Sequence, residues 1–113
     1  MELLQKRWRS QDTALCVGLD PDLDRMPADV RCGAQPLLDF CCAIVDATAD
    51  AVCAFKPQAA YFAALGREQE LADLIAYIHA RHPQVPVILD AKRGDIGATA
   101  RLYALEAFSR YGA

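Results

Sequence analysis

Strand and helix alternate along this chain, and the sequence predicts an α/β fold on a parallel sheet with right-handed crossovers. Three observations carry that expectation. Short apolar runs of strand length occur at 14–19, 51–55 and 85–89. Each is followed by a stretch whose apolar residues recur at helical period. Charged and turn-forming residues gather where each run ends, as they do in βα loops.

Residues 2 to 10 fit a short amphipathic helix with Leu3, Leu4 and Trp8 on one face, Trp8 serving as a packing anchor. Ala14 to Leu19 is the first strand, and Gly18, Asp20 and Pro21 mark its exit. The alternation of Asp20, Asp22 and Asp24 imitates the opening of a calcium loop. Such a loop needs Gly at its sixth place and Glu at its twelfth, where this chain has Arg25 and Arg31, so no metal site is expected.

Pro36 can open a helix, and Leu37, Leu38, Cys41, Ile44, Val45 and Thr48 follow near helical period until about Asp50. Ala51 to Phe55 is the second strand. Lys56 follows it, directly before Pro57, and a lysine at a buried strand end wants a carboxylate partner. Asp90, at the end of the third strand, is the expected partner.

Gln58 to Leu65 is helical until Gly66 breaks it. Arg67 to Arg81 is a stronger helix, with Leu71, Leu74, Ile75 and Ile78 on its apolar face. His79, Arg81 and His82 fall in its last turn, where cations complement the helix dipole; a capping role is expected of them, not catalysis. Pro83 and Pro86 bracket the way into the third run, expected to be a strand buried on both faces. After Gly97 a last helix has Ala98, Leu102, Leu105 and Phe108 as its apolar side, and Gly112 can terminate it.

The third strand ends V-I-L-D-A-K-R-G-D-I. With period-two alternation, Asp90 and Lys92 project the same way, and a turn at Gly94 could return Asp95 beside them. Two carboxylates around one ammonium would keep the lysine protonated, a positioned acid. Strand ends also turn polar simply because the chain is leaving the core, and spacing alone leaves both readings open.

Composition narrows the classes. Of 113 residues, 54% are hydrophobic and 24% charged, an ordinary globular balance. Lysines and arginines number 12 against 15 acids, a net charge of −3 with no basic stripe, which argues against nucleic-acid partners. The charged start M-E-L-L-Q-K-R-W-R-S has no long apolar core, so neither a signal peptide nor a membrane span is expected and the cytosol is the expected, cytoplasmic location. The five cysteines form no C-x-x-C pair, and structural thiols are expected. No internal repeat or linker marks a second domain.

Three stretches, in order, then carry a resemblance. D-A-K-R-G-D-I-G-A-T-A at 90–100 resembles the D-x-K-x-x-D-I signature of orotidine 5′-monophosphate decarboxylases. C-V-G-L-D-P at 16–21 resembles that family's first strand and F-K-P-Q-A-A-Y-F at 55–62 its second. The likeness runs from about Ala14 onward. It implies a partial TIM (β/α)8 barrel, a fold of about 250 residues, of which this chain holds the first three βα units and an N-terminal helix.

The implied reaction removes carbon dioxide from C6 of the pyrimidine of orotidine 5′-monophosphate, with no metal or organic cofactor, in a homodimer with a shared active site. By the same resemblance Lys92 donates the proton to C6, and Asp90 and Lys56 are its neighbours in a charge array. Asp95 and Ile96 come from the other subunit, Thr99 contacts the sugar across that interface, and Asp20 hydrogen-bonds the ribose. Arg93 and Gly94 keep the loop tight. The family's phosphate-gripping arginine and closing loop belong to strands beyond the third. Two alternatives stand beside this reading: a magnesium-dependent sugar-phosphate lyase of the same superfamily, and a noncatalytic half-barrel that serves as an association module.

Overall fold

A computed structural model describes residues 1–113. Two strands are regular, β1 (Cys16–Leu19) and β2 (Ala54–Pro57), and they pair in parallel with Cys16 opposite Ala54 and Leu19 opposite Pro57. On the other side of β2 an extended segment, 86–90, pairs in parallel through two isolated bridges, Phe55 with Val87 and Gln58 with Asp90. β2 is thus the middle of three parallel segments, and its Ala54 and Phe55 are fully buried.

That corrects two expectations. The second strand lies further along than 51–55, because Ala51 is still in the turn that leaves the preceding helix, and Val52 and Cys53, buried ahead of the strand, read in sequence like part of it. The third segment is not buried on both faces: Val85 is buried, but Ile88 is 42% exposed, as expected of an edge that in this chain pairs on one side only. Its ladder is interrupted for a chemical reason. Phe55 N–H donates to the Pro86 carbonyl, Ile88 N–H to the Phe55 carbonyl, Asp90 N–H to the Pro57 carbonyl and Ala59 N–H to the Asp90 carbonyl. The rung that would run from residue 57 to the carbonyl of Ile88 is missing, because Pro57 has no N–H to give.

The helices are α1 (Glu2–Gln11), α2 (Ala28–Arg31), α3 (Pro36–Thr48), α4 (Ala59–Ala63), α5 (Glu68–Arg81) and α6 (Gly97–Ala104). α3 and α5 pack together. Leu37, Cys41 and Val45 of one and Leu71, Leu74, Ile75 and Ile78 of the other join Phe55 and Phe62 in a single core. Each such side chain contributes about 1.5–3 kcal/mol by leaving water. The four apolar positions expected on α5 are all fully buried. Between α4 and α5, Gly66 has φ +64°, and Arg67 and Gly66 donate to the carbonyls of Phe62 and Ala63, the Schellman closure that a glycine permits.

Polar side chains tie the helix ends. Glu70 on α5 is buried; its Oε2 accepts from the Leu38 N–H at 2.9 Å in the first turn of α3, and its Oε1 from Arg67 Nη1 at 2.6 Å. α1 is held by Arg7, where Trp8 was the expected anchor. Trp8 is 55% exposed, whereas Arg7 is buried and donates to the carbonyls of Ala49 at 2.7 Å and Val52 at 3.2 Å. Those carbonyls follow the C-terminal end of α3, where helical acceptors lack partners and a cation is favoured. His82 Nε2 lies 3.4 Å from Asp46 Oδ1, and Tyr77 donates to Asp46 Oδ2 at 2.7 Å, so the end of α5 is fastened to α3.

α6 runs on into a wider π turn, Leu105–Arg110. Its apolar side is uncovered in this chain, with Leu102, Leu105 and Phe108 all more than half exposed. Periodicity identifies an apolar face but not the surface that would cover it. No helix is long and apolar enough to cross a membrane.

Candidate active site

The carboxyl ends of β1, β2 and the segment 86–90 lie together because the three run parallel, and each delivers a charge at that end: Asp20, Lys56 and Asp90. The expected partnership of Lys56 with Asp90 is present, Nζ to Oδ2 at 3.4 Å, and Asp20 Oδ1 is 4.0 Å from the same ammonium. Lys92 completes the row, its Nζ 2.6 and 2.7 Å from the two oxygens of Asp90. The order is acid, base, acid, base. The Lys92 hydrogen bonds are the largest influence and hold the Asp90 carboxyl below the usual carboxylate range; burial opposes them, and the weaker pull of Lys56 adds to the lowering.

Asp90 and Lys92 do face the same way, but not by continued pleating. The strand pairing ends at Asp90, and Lys92 has φ +50°, a left-handed turn uncommon for a residue with a Cβ. That turn folds the lysine back over the carboxylate. Asp95 does not come back beside them: its Oδ1 accepts from the N–H of Ile96 at 2.8 Å. Within one chain Lys92 therefore meets one carboxylate, not two. Ile96, 86% exposed, and Thr99, also exposed, lie near the start of α6.

Next to Asp20, a shallow pocket of about 310 Å³ is lined by Asp22, Arg25, Met26 and Phe40 as well. Asp22 spends its Oδ1 on the Asp24 N–H at 3.0 Å, capping a short turn at Leu23–Arg25. Nowhere do three His, Cys, Asp or Glu side chains gather as a metal site. One pair of partners at this site had no sequence signal: Glu106 and Tyr103 of the last helical stretch, which hold Arg93. Arg93 Nε donates to Glu106 Oε2 at 3.2 Å, and its guanidinium stands 5.6 Å over the Tyr103 ring.

A model of the "Orotidine 5'-phosphate decarboxylase / HUMPS family" matches residues 13–113. The chain belongs to that family. Proteins named orotidine 5'-phosphate decarboxylase from Janthinobacterium sp. (strain Marseille) and Azoarcus sp. (strain BH72) are 57% and 59% identical to it over 113 residues, all of this chain and 42% of each relative. A crystal structure from Toxoplasma gondii superimposes with a TM-score of 0.90 at 38% identity, covering 100% of this chain and 38% of that one. The structure of Leishmania donovani OMP decarboxylase gives a TM-score of 0.80 at 37% identity over 99% of this chain and 40% of its own. The chain thus spans about two fifths of the length of the family members it matches.

Proposed function

We propose that this chain forms the first three βα units and N-terminal helix of a single (β/α)8-barrel domain that decarboxylates orotidine 5′-monophosphate to uridine 5′-monophosphate. The observation that carries the reading is the row Asp20, Lys56, Asp90, Lys92 at the carboxyl ends of parallel strands, in a member of this family.

Loss of carbon dioxide leaves an electron pair on C6 with no electron sink in the ring. Lys92 meets that charge with a fixed ammonium and gives its proton to C6, forming the C6–H bond of the product. Asp90 binds the ammonium through both oxygens, so little rearrangement is needed as charge builds, whereas water would have to reorient. Lys56 keeps Asp90 ionised from the other side. Asp20 takes the ribose, and Asp95, Ile96 and Thr99 serve the site of a partner subunit in a homodimer. Binding energy from the distant phosphate, met by later parts of the barrel, positions and encloses the reacting centre.

Lys92→Ala in the full-length protein is expected to abolish decarboxylation, followed as loss of orotidine absorbance, and to leave the circular dichroism unchanged. Near-normal turnover would remove Lys92 from the role. Mixed dimers of Lys92→Ala and Asp95→Ala chains should regain one working site per hybrid, and failure in proven hybrids counts against sharing. Turnover that depends on added magnesium would favour a sugar-phosphate lyase instead.

A further inference from the structure

Lys92 sits in a loop with few anchors. Residues 91–95 make no backbone-to-backbone hydrogen bond. Their side chains mostly bond to close neighbours, Lys92 to Asp90 and Asp95 to the N–H of Ile96. Arg93 is the exception, reaching Glu106 thirteen residues away.

The site that Arg93 reaches is built on one helical face. Tyr103 and Glu106 are three residues apart, so they lie side by side; both are half-buried. The planar guanidinium can stack on the ring and bond the carboxylate together, a combination that a lysine ammonium does not reproduce. On the other side of Lys92, Asp90 is fixed by the ladder, donating its N–H to Pro57 and accepting from Ala59. Lys92 therefore spans two fixed points, Asp90 and Arg93, with its backbone in the left-handed region.

The geometry points to Arg93 as a positioning residue: held by Glu106 and Tyr103, it keeps Lys92 in its left-handed turn and so keeps the ammonium on Asp90. This deepens the proposed function and rests on it for the role of Lys92. The coupling is modest by nature, since an exposed ion pair alone shifts an equilibrium by roughly fivefold or less. Arg93 is accordingly a tuning device for the loop, not a group that touches the substrate.

The test uses the full-length protein and two readouts: steady-state decarboxylation of orotidine 5′-monophosphate, and ¹⁵N order parameters of the amides of residues 92–95. Arg93→Ala, which loses both the ion pair and the stacking, should lower kcat by about 3- to 10-fold, and Glu106→Gln, which keeps the stacking on Tyr103, by roughly two- to fivefold, with KM changed less than about twofold in both. The order parameters should fall in the same variants. Arg93→Lys should recover less than half of the lost rate, and the exchange Arg93→Glu with Glu106→Arg should exceed Arg93→Glu alone. Unchanged kcat in Arg93→Ala, a lower kcat with unchanged order parameters, or an exchange no better than the single reversal would each overturn the proposal. Failure of the catalytic reading is seen separately, as turnover retained by Lys92→Ala, while the order parameters still report on the anchor.

Discussion

Asp90 and Lys92 are two residues apart and meet through two hydrogen bonds, 2.6 and 2.7 Å from one ammonium to both oxygens of one carboxylate. A continuing strand would leave their side chains side by side; the left-handed backbone at Lys92 closes one onto the other.

The first consequence concerns pH. The native carboxyl of Asp90 titrates below the ordinary value of about 3.9, so the folded state binds this proton less readily than the unfolded chain. Its contribution to stability is present above the ordinary value and is lost as pH falls through the lowered one. A ¹³C NMR titration of the Asp90 carboxyl should show the depressed midpoint, and Lys92→Met should raise it. A midpoint indifferent to Lys92 would assign the depression elsewhere.

Arg7 makes a second case. Replacing it with Met keeps much of the stem's packing but leaves the buried carbonyls of Ala49 and Val52 without their donor. Hydrogen bonds to a charged group are worth about 1.5–3 kcal/mol, so a loss of about 3 kcal/mol is expected in urea denaturation. A change under about 0.5 kcal/mol, as at ordinary surface sites, would mean that water replaces the donor.

Two leucines separate periodicity from burial. Leu74 is fully buried on α5 and Leu102 is 63% exposed on α6, though both stand on apolar helix faces. In this chain Leu74→Ala should cost about 2–5 kcal/mol and Leu102→Ala less than about 0.5 kcal/mol by denaturant titration. A large cost at Leu102 would reveal another surface packed on it.

Thiol chemistry offers a fourth check. Burial pushes the Cys41 thiol up to about 12 and the Cys42 thiol up to about 11, and Cys53 is buried as well. Cys32 is exposed at the end of α2. With an aromatic disulfide reagent near pH 8, Cys32 should react first and Cys41 only on unfolding, read by peptide mass spectrometry. Rapid labelling of native Cys41 would contradict the packing of α3.

Much of the fold was legible along the chain. The α5 face was readable because a helix returns its side chains to one side every three or four residues, and Leu71, Leu74, Ile75 and Ile78 do so. The Lys56–Asp90 pair was legible because a lysine at the end of an apolar strand, here half-buried, needs a counter-charge and the next parallel strand ends in one. Size and apolarity single out Trp8 in the sequence, but the open carbonyls beyond α3 call for a cation, and Arg7 supplies it.

By itself the sequence determined the strand–helix alternation, the inward faces of α3 and α5, and a charge cluster at the strand ends, since each follows from the local geometry of helix and strand. Tertiary structure decided which strand lies in the middle, where Pro57 breaks the ladder, how Lys92 turns onto Asp90, and that Arg93 finds Glu106. Those depend on the register between distant segments and on backbone angles that a residue adopts only under the constraint of its neighbours, and neither is written in spacing.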